Sequence, residues 1–217
     1  MPERRAAMMA NSTAIERYCL VTVGATVGFK ELTTAVLEPG FWQFLRSKNF
    51  TNLRIQCGPD IPWVSAKLSE RKEETPEGLD IVAFDVRRNL MTEEMALCSP
   101  DPGRRVQGLI ISHAGTGTIL DAWRLSIPLI VVPNTSLLDN HQTEMAQHLA
   151  REGYATMATA SRQDLQDAVH KSGLLVEDNQ TRWPPHSATA GPSVAMSLWD
   201  IKPMEVKTEE NSQLAHD

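Results

Sequence analysis

The sequence predicts an α/β fold, a single Rossmann-like parallel sheet with helices on both faces, and three observations carry that expectation. Short apolar runs rich in β-branched residues alternate with helix-period segments from Tyr18 to Lys171, which is the pattern of a parallel sheet covered on both sides. Two small-residue turns, Gly24 to Gly28 and Ser112 to Thr118, each follow such a run and open into a helical pattern. Both turns therefore fall at the carboxyl ends of strands, where open α/β sheets bind ligands. The length of 217 residues suits one domain with tails.

Residues 1–16 read as a flexible leader, 17–175 as the domain and 176–217 as a mostly extended tail. Tyr18 to Val23 is a β-branched first strand. After the first glycine turn a helical pattern begins near Lys30, and Pro39-Gly40 interrupts it, giving helices over about 30–37 and 40–48. Leu53 to Cys57 is the second strand, closed by Gly58-Pro59. Residues 59–78 are polar and charged and read as a surface insertion. Leu79 to Phe84 is the third strand, Leu90 to Cys98 a short helix, and Ser99 to Arg105 a loop by composition.

The second half is tighter. The fourth strand covers 108–112, a helix 116–126, the fifth strand 128–132, a loop Pro133 to Asn140 and a helix about 141–152. Gly153 sits where a helix C-cap glycine belongs. Tyr154 to Met157 is a sixth short strand, and Ser161 with Asp164 caps a last helix to Lys171. The tail turns to Pro, Ser, Thr and acidic residues, with apolar clusters around Trp183 and from Val194 to Ile201 that read as docking points.

Composition narrows the function classes. With 41% apolar and 22% charged residues the chain is globular, and its net charge of −6 argues against nucleic-acid binding. Cys19, Cys57 and Cys98 match neither a zinc spacing nor a secreted disulfide framework, so they read as small buried apolar residues in a reducing compartment. No segment approaches the roughly 18 apolar residues of a membrane span, and the run after Arg4-Arg5 is too short for a signal-peptide core.

Chemistry concentrates in the second glycine turn. A strand, a small-residue turn and a helix start place free N–H groups toward an anion. Here the turn also carries an imidazole (His113), a hydroxyl (Thr118) and, one turn on, a carboxylate (Asp121). Together they can hold a phosphate at one end and a sugar hydroxyl at the other, which suggests a nucleotide-sugar site. A lone histidine is more often a strand-end residue bonded to backbone, and Asp121 alone would be a solvated helix carboxylate. The first turn fits neither G-x-G-x-x-G nor a Walker pattern, which disfavours a dinucleotide-dependent dehydrogenase. Placed beside the second turn, however, Thr22, Thr26 and the amides near Gly24 would line the sugar or diphosphate side of a cleft. Asp139-Asn140-His141-Gln142 reads either as an N-cap with polar neighbours or as a grip on sugar hydroxyls. There is no D-x-D metal clamp, and His141, Met145 and His148 share a helical face without a completing carboxylate.

The run His113 to Asp121, followed by Ser126-Ile127-Pro128 and Pro133, resembles the donor-binding signature of UDP-glycosyltransferases with the two-domain GT-B fold, H-x-G-x-x-S-x-L-E-x-x-x-x-G-x-P-x-x-x-x-P followed by D-Q. The family's ribose glutamate is an aspartate here, Ser126 stands where the family has glycine, and the D-Q pair is spread over Asp139 to Gln142. More closely, V-T-V-G-A-T, G-L-I-I-S-H-A-G-T-G-T-I-L-D and P-L-I-V-V-P-N-T-S-L-L-D-N-H-Q-T-E-M-A are similar to the soluble catalytic subunits of dolichol-linked UDP-N-acetylglucosamine transferases, over residues 18–172.

That resemblance implies a donor-binding half of a GT-B enzyme whose acceptor half is a separate membrane-anchored subunit. It implies transfer of the second GlcNAc from UDP-GlcNAc to GlcNAc-diphosphodolichol, inverting and without metal or other cofactor, at the cytosolic face of the endoplasmic reticulum. The site would comprise His113 and His141 as catalytic residues. Donor contacts would come from Gly24, Thr26, Gly28, Ser112, His113, Gly115, Thr116, Gly117, Thr118, Asp121, Asp139, Asn140 and Gln142. The general base stays open between His141 and the partner. The competing readings are a glycosyltransferase with another acceptor and a non-catalytic nucleotide-sugar-binding or regulatory subunit.

Overall fold

The computed structural model describes residues 15–24, 27–135 and 141–182. The strands are β1 (Tyr18–Thr22), β2 (Asn52–Gln56), β3 (Asp80–Phe84), β4 (Leu109–Ser112), β5 (Leu129–Val131) and β6 (Thr156–Met157). They form one parallel sheet in the order β3-β2-β1-β4-β5-β6. The chain runs outward from β1 to one edge, then returns to β4 on β1's other side. Connections therefore diverge between β1 and β4, leaving a crevice above their carboxyl ends.

The helices are α1 (Lys30–Val36), α2 (Pro39–Ser47), α3 (Ile61–Glu70), α4 (Leu90–Glu93), α5 (Thr116–Arg124), α6 (His141–Arg151) and α7 (Arg162–Arg182). Strand alternation sends Val21, Ile55 and Ile111 to one face, where Leu32 of α1, Phe41 and Trp42 of α2, Val64 of α3 and Leu165 of α7 pack on them. Leu20, Ile110 and Leu129 point the other way, against Met95 and Cys98, Ile119 and Ala122 of α5, and Ala146 and Leu149 of α6. Both faces are thus covered, as the strand–helix alternation predicts. Pro39 opens α2 at its first position, where a missing N–H costs nothing. Gly153, in the left-handed region at φ 75°, closes α6.

Two expectations are corrected. Residues 59–78 are not a surface insertion: they contain α3, the crossover helix joining β2 to β3, with Val64 buried in the core. Its charges occupy the outward face, so composition alone reads as loop. The last helix does not stop at Lys171 but runs to Arg182, so residues 176–182 are helix and not extended tail. Polar residues there replace the apolar period that marks a packed helix. Glu16, at the end of the expected leader, is already tied to the fold through its N–H to Arg104 O at 2.9 Å. The expected leader up to residue 14 and the docking clusters of the tail lie outside the described residues.

Candidate functional site

Thr22 and Ser112 face each other in register at the ends of β1 and β4, and the His113 N–H donates to Thr22 O at 3.1 Å. The two glycine turns predicted from sequence therefore meet side by side at the divergence point. His113 is what they enclose. A methyl group built on Gly24 would lie 2.9 Å from Nε2, and one on Gly115 would lie 2.6 Å away. The imidazole fills a slot that only glycine leaves open, and Gly24 additionally adopts φ 89°. Ala114 between them sits at φ 63°, a left-handed conformation that alanine rarely adopts. Strain of this kind collects at ligand sites.

Burial holds the His113 imidazole below its usual pKa, with the Thr22 carbonyl acting in the opposite direction. The ring is therefore neutral near pH 7, and its buried Nδ1 has no hydrogen-bond partner. Above it begins α5, whose N-cap Gly115 makes no side-chain cap. The first N–H groups of that nine-residue helix are thus available to an anion. Thr116 and Gly117 are exposed and Thr118 half-buried in this first turn. Thr116 Oγ1 lies 4.0 Å from Met145 Sδ, which brings the start of α5 against α6.

Asp121 lies further down α5, part exposed, with Arg124 Nη1 at 3.3 Å from its Oδ1. Gln142 accepts from Asn134 N at 3.2 Å, so its oxygen organises the turn after β5. His141 is exposed at the start of α6. Beside these residues the rim holds a cavity of about 380 Å3 lined by Phe29, Glu31, Asn134, Thr135, Thr143 and Thr159 among others. Thr26, Asp139 and Asn140 lie outside the described residues.

Three positions differ from their sequence-based roles. The Thr22 and Ser112 hydroxyls are fully buried, below the surface that a ligand would touch. Gly28 is pressed against the Asp60 carboxylate, so packing between the turns after β1 and β2 accounts for its missing side chain. Sequence reasoning also missed Asp60 and Gln56, whose Oδ2 and Oε1 are buried without a partner at the end of β2. The strand reads Asn52-Leu53-Arg54-Ile55-Gln56, already mixed polar and apolar, so the sequence carried no signal that singled them out. Among the described residues no group of three or more His, Cys, Asp or Glu side chains is placed to hold a metal ion. Nor is any helix there long and apolar enough to cross a membrane.

Residues 18–190 match the glycosyltransferase family 28 C-terminal domain. The chain is 36% identical over 153 residues to the UDP-N-acetylglucosamine transferase subunit ALG13 of Saccharomyces cerevisiae, covering 64% of this chain and 76% of that one. Among solved structures it resembles the NMR solution structure of ALG13, with a TM-score of 0.56 and 29% identity over 74% of this chain and 87% of that one. It also shares its fold with Acinetobacter baumannii MurG, with a TM-score of 0.53 and 21% identity. That match covers 75% of this chain but only 43% of MurG, so this sheet corresponds to one part of a larger molecule.

Proposed function

The chain belongs to the glycosyltransferase family 28 C-terminal domain family, alongside the ALG13 subunits, and from that premise we propose that it is the donor-binding catalytic half of a UDP-GlcNAc transferase. The observation that carries this reading is the His113 imidazole held between Gly24 and Gly115 beneath the uncapped start of α5. The diphosphate of UDP-GlcNAc lies on those N–H groups, with His113 beside it. A helix terminus contributes about 0.3–1 kcal/mol to such a charge, more when water is excluded. Thr118 adds a hydroxyl, Asp121 accepts from the ribose hydroxyls, and Gln142, Asp139 and Asn140 are the candidate contacts for the sugar hydroxyls.

In the reaction an acceptor hydroxyl oxygen attacks the anomeric carbon from the side opposite the phosphate. The bond from that carbon to the diphosphate oxygen breaks, UDP leaves with the electron pair, and configuration inverts. The fixed donors of α5 and His113 stabilise the departing charge, so the step needs no metal or other cofactor. A base, His141 or a residue of the partner, takes the hydroxyl proton. The acceptor is GlcNAc-diphosphodolichol, receiving its second GlcNAc. It is presented by a membrane-anchored partner subunit at the cytosolic face of the endoplasmic reticulum.

Reconstitution with that partner tests the proposal. Transfer of GlcNAc from UDP-GlcNAc to the lipid acceptor is the expected result. UDP binding without transfer to any acceptor would leave a non-catalytic subunit, and transfer to a different acceptor would overturn the lipid assignment.

A further inference from the structure

Gln56 closes β2, Thr22 closes β1 and Ser112 closes β4, and the register sets these three residues side by side. Register partners on neighbouring strands project to the same face of a sheet. That face is the one α5 covers: Leu20 and Ile110, two residues before Thr22 and Ser112, pack with Ile119 and Ala122 of α5. Phe84, opposite Gln56, belongs to the same cluster. The row therefore lies one step nearer the carboxyl edge, under the first turn of α5.

Thr22 and Ser112 are 0% exposed and Gln56 is 4% exposed, and Thr22 Oγ1, Ser112 Oγ and Gln56 Oε1 make no hydrogen bond to protein. Native interiors rarely leave one such group unpaired, let alone a contiguous row of three. Enclosed water is the usual partner, and it needs two to four polar contacts. Two hydroxyls that both donate and accept, and one amide oxygen that accepts, on strands about 4.8 Å apart supply them.

We propose that Gln56, Thr22 and Ser112 form an enclosed water-binding row that holds the first turn of α5 at its height above β1 and β4. They are positioning residues: they reach a bound diphosphate only through the α5 N–H groups. That consequence rests on the donor-binding reading above, whereas the hydration of the row does not.

The test is a thermodynamic cycle with a binding readout. Thr22→Val, Ser112→Ala, Gln56→Met and the double variant Thr22→Val/Ser112→Ala are compared by thermal unfolding, and UDP affinity is measured by calorimetry. With a shared water, each single variant strands its neighbours and lowers Tm by about 2–8 °C. The double variant then loses clearly less than the sum. UDP affinity falls roughly 3- to 10-fold in each single variant, about 0.6–1.4 kcal/mol, and Thr22→Ser restores it. Independent unpaired groups would give the opposite sign, with every substitution raising Tm and the double variant additive. That outcome overturns the row, and unchanged UDP affinity in variants of lowered Tm overturns the positioning role. If Thr22→Val fails to fold, Thr22→Ala with Ser112→Ala closes the same cycle between the two paired hydroxyls. A wild-type chain that binds no UDP sinks the donor reading and the positioning role with it, while the Tm coupling still decides the hydration.

Discussion

At His113 the imidazole has glycine on either side, a buried Nδ1 without a partner, and a pKa held down by burial. Each property bears on a measurable quantity. His113→Ala should weaken UDP binding by roughly 10- to 100-fold, the scale of a hydrogen bond to a charged group, as read by calorimetry. Because the folded pKa lies below the unfolded value of about 6.5, the unfolded chain takes up the proton first. The contribution of neutral His113 to stability is therefore present above about pH 6.5 and is lost as the pH falls. A bound diphosphate favours the imidazolium, so UDP binding near pH 6 should take up protons. Calorimetry in buffers of different ionisation heats measures that uptake, and His113→Ala should abolish it. Asp121→Ala should weaken UDP while leaving Tm unchanged, since the carboxylate is part exposed and its structural partner is the surface residue Arg124. Unchanged affinity would remove the ribose role. The three cysteines are buried, and burial pushes the Cys57 thiol up to about 11, which makes it unreactive.

Helix ends explain a sequence departure that has no chemistry in it. Ile127 N bonds Ala122 O and Ser126 N bonds Trp123 O, the paired bonds of a Schellman close to α5. Its left-handed position falls on Ser126, at φ 54°, where the related signature has glycine. Ser126→Gly should accordingly stabilise the protein by about 1 kcal/mol, seen as a higher Tm. A second element-scale device joins β2 to the segment after β3. Glu94, buried, accepts from Arg54 Nη2 at 3.0 Å and Arg87 Nε at 2.8 Å. Burial alone would raise the Glu94 pKa, but the bonds from Arg54 and Arg87 outweigh it and hold the carboxyl below its usual value. Glu94→Gln should cost about 2–3 kcal/mol, somewhat under a fully enclosed pair because Arg87 is part exposed. That carboxylate's contribution is present above its unfolded pKa and is lost as pH falls through the folded one. The difference between wild type and variant in chemical denaturation should therefore shrink in acid.

Across the whole molecule, the sheet order puts the divergence point at β1 and β4, so the candidate site gathers on one rim. Removing residues 183–217 should leave Tm within about 2 °C, because the cut falls after the last described turn of α7. Recruitment to membranes through a partner should drop in a flotation assay if the tail clusters dock there. Retained recruitment would assign docking to another surface. Cutting at residue 173 instead would divide α7 beside Val169 and Ser172, both buried, and would confound stability with docking.

Much of this was legible in the residues alone. The six strands followed from short apolar runs, and the two turns at the carboxyl rim from glycines placed after them, because strand periodicity and backbone freedom are local properties. The family signature was likewise visible as the run from His113 to Pro133, and the match to the glycosyltransferase family 28 C-terminal domain agrees with it. The crossover helix α3 was hidden because it buries little, Val64 being its one fully buried residue, so its charged outer face dominates any reading of composition. Gln56 and Asp60 were hidden because nothing local marks an unpartnered oxygen. Only the tertiary structure decided that Gly24 and Gly115 wall the same imidazole, that the Thr22 and Ser112 hydroxyls lie beneath the rim, and that Gln56 joins them. Those facts arise from register between strands distant in sequence, and register is set by which apolar faces pack together, not by any one segment.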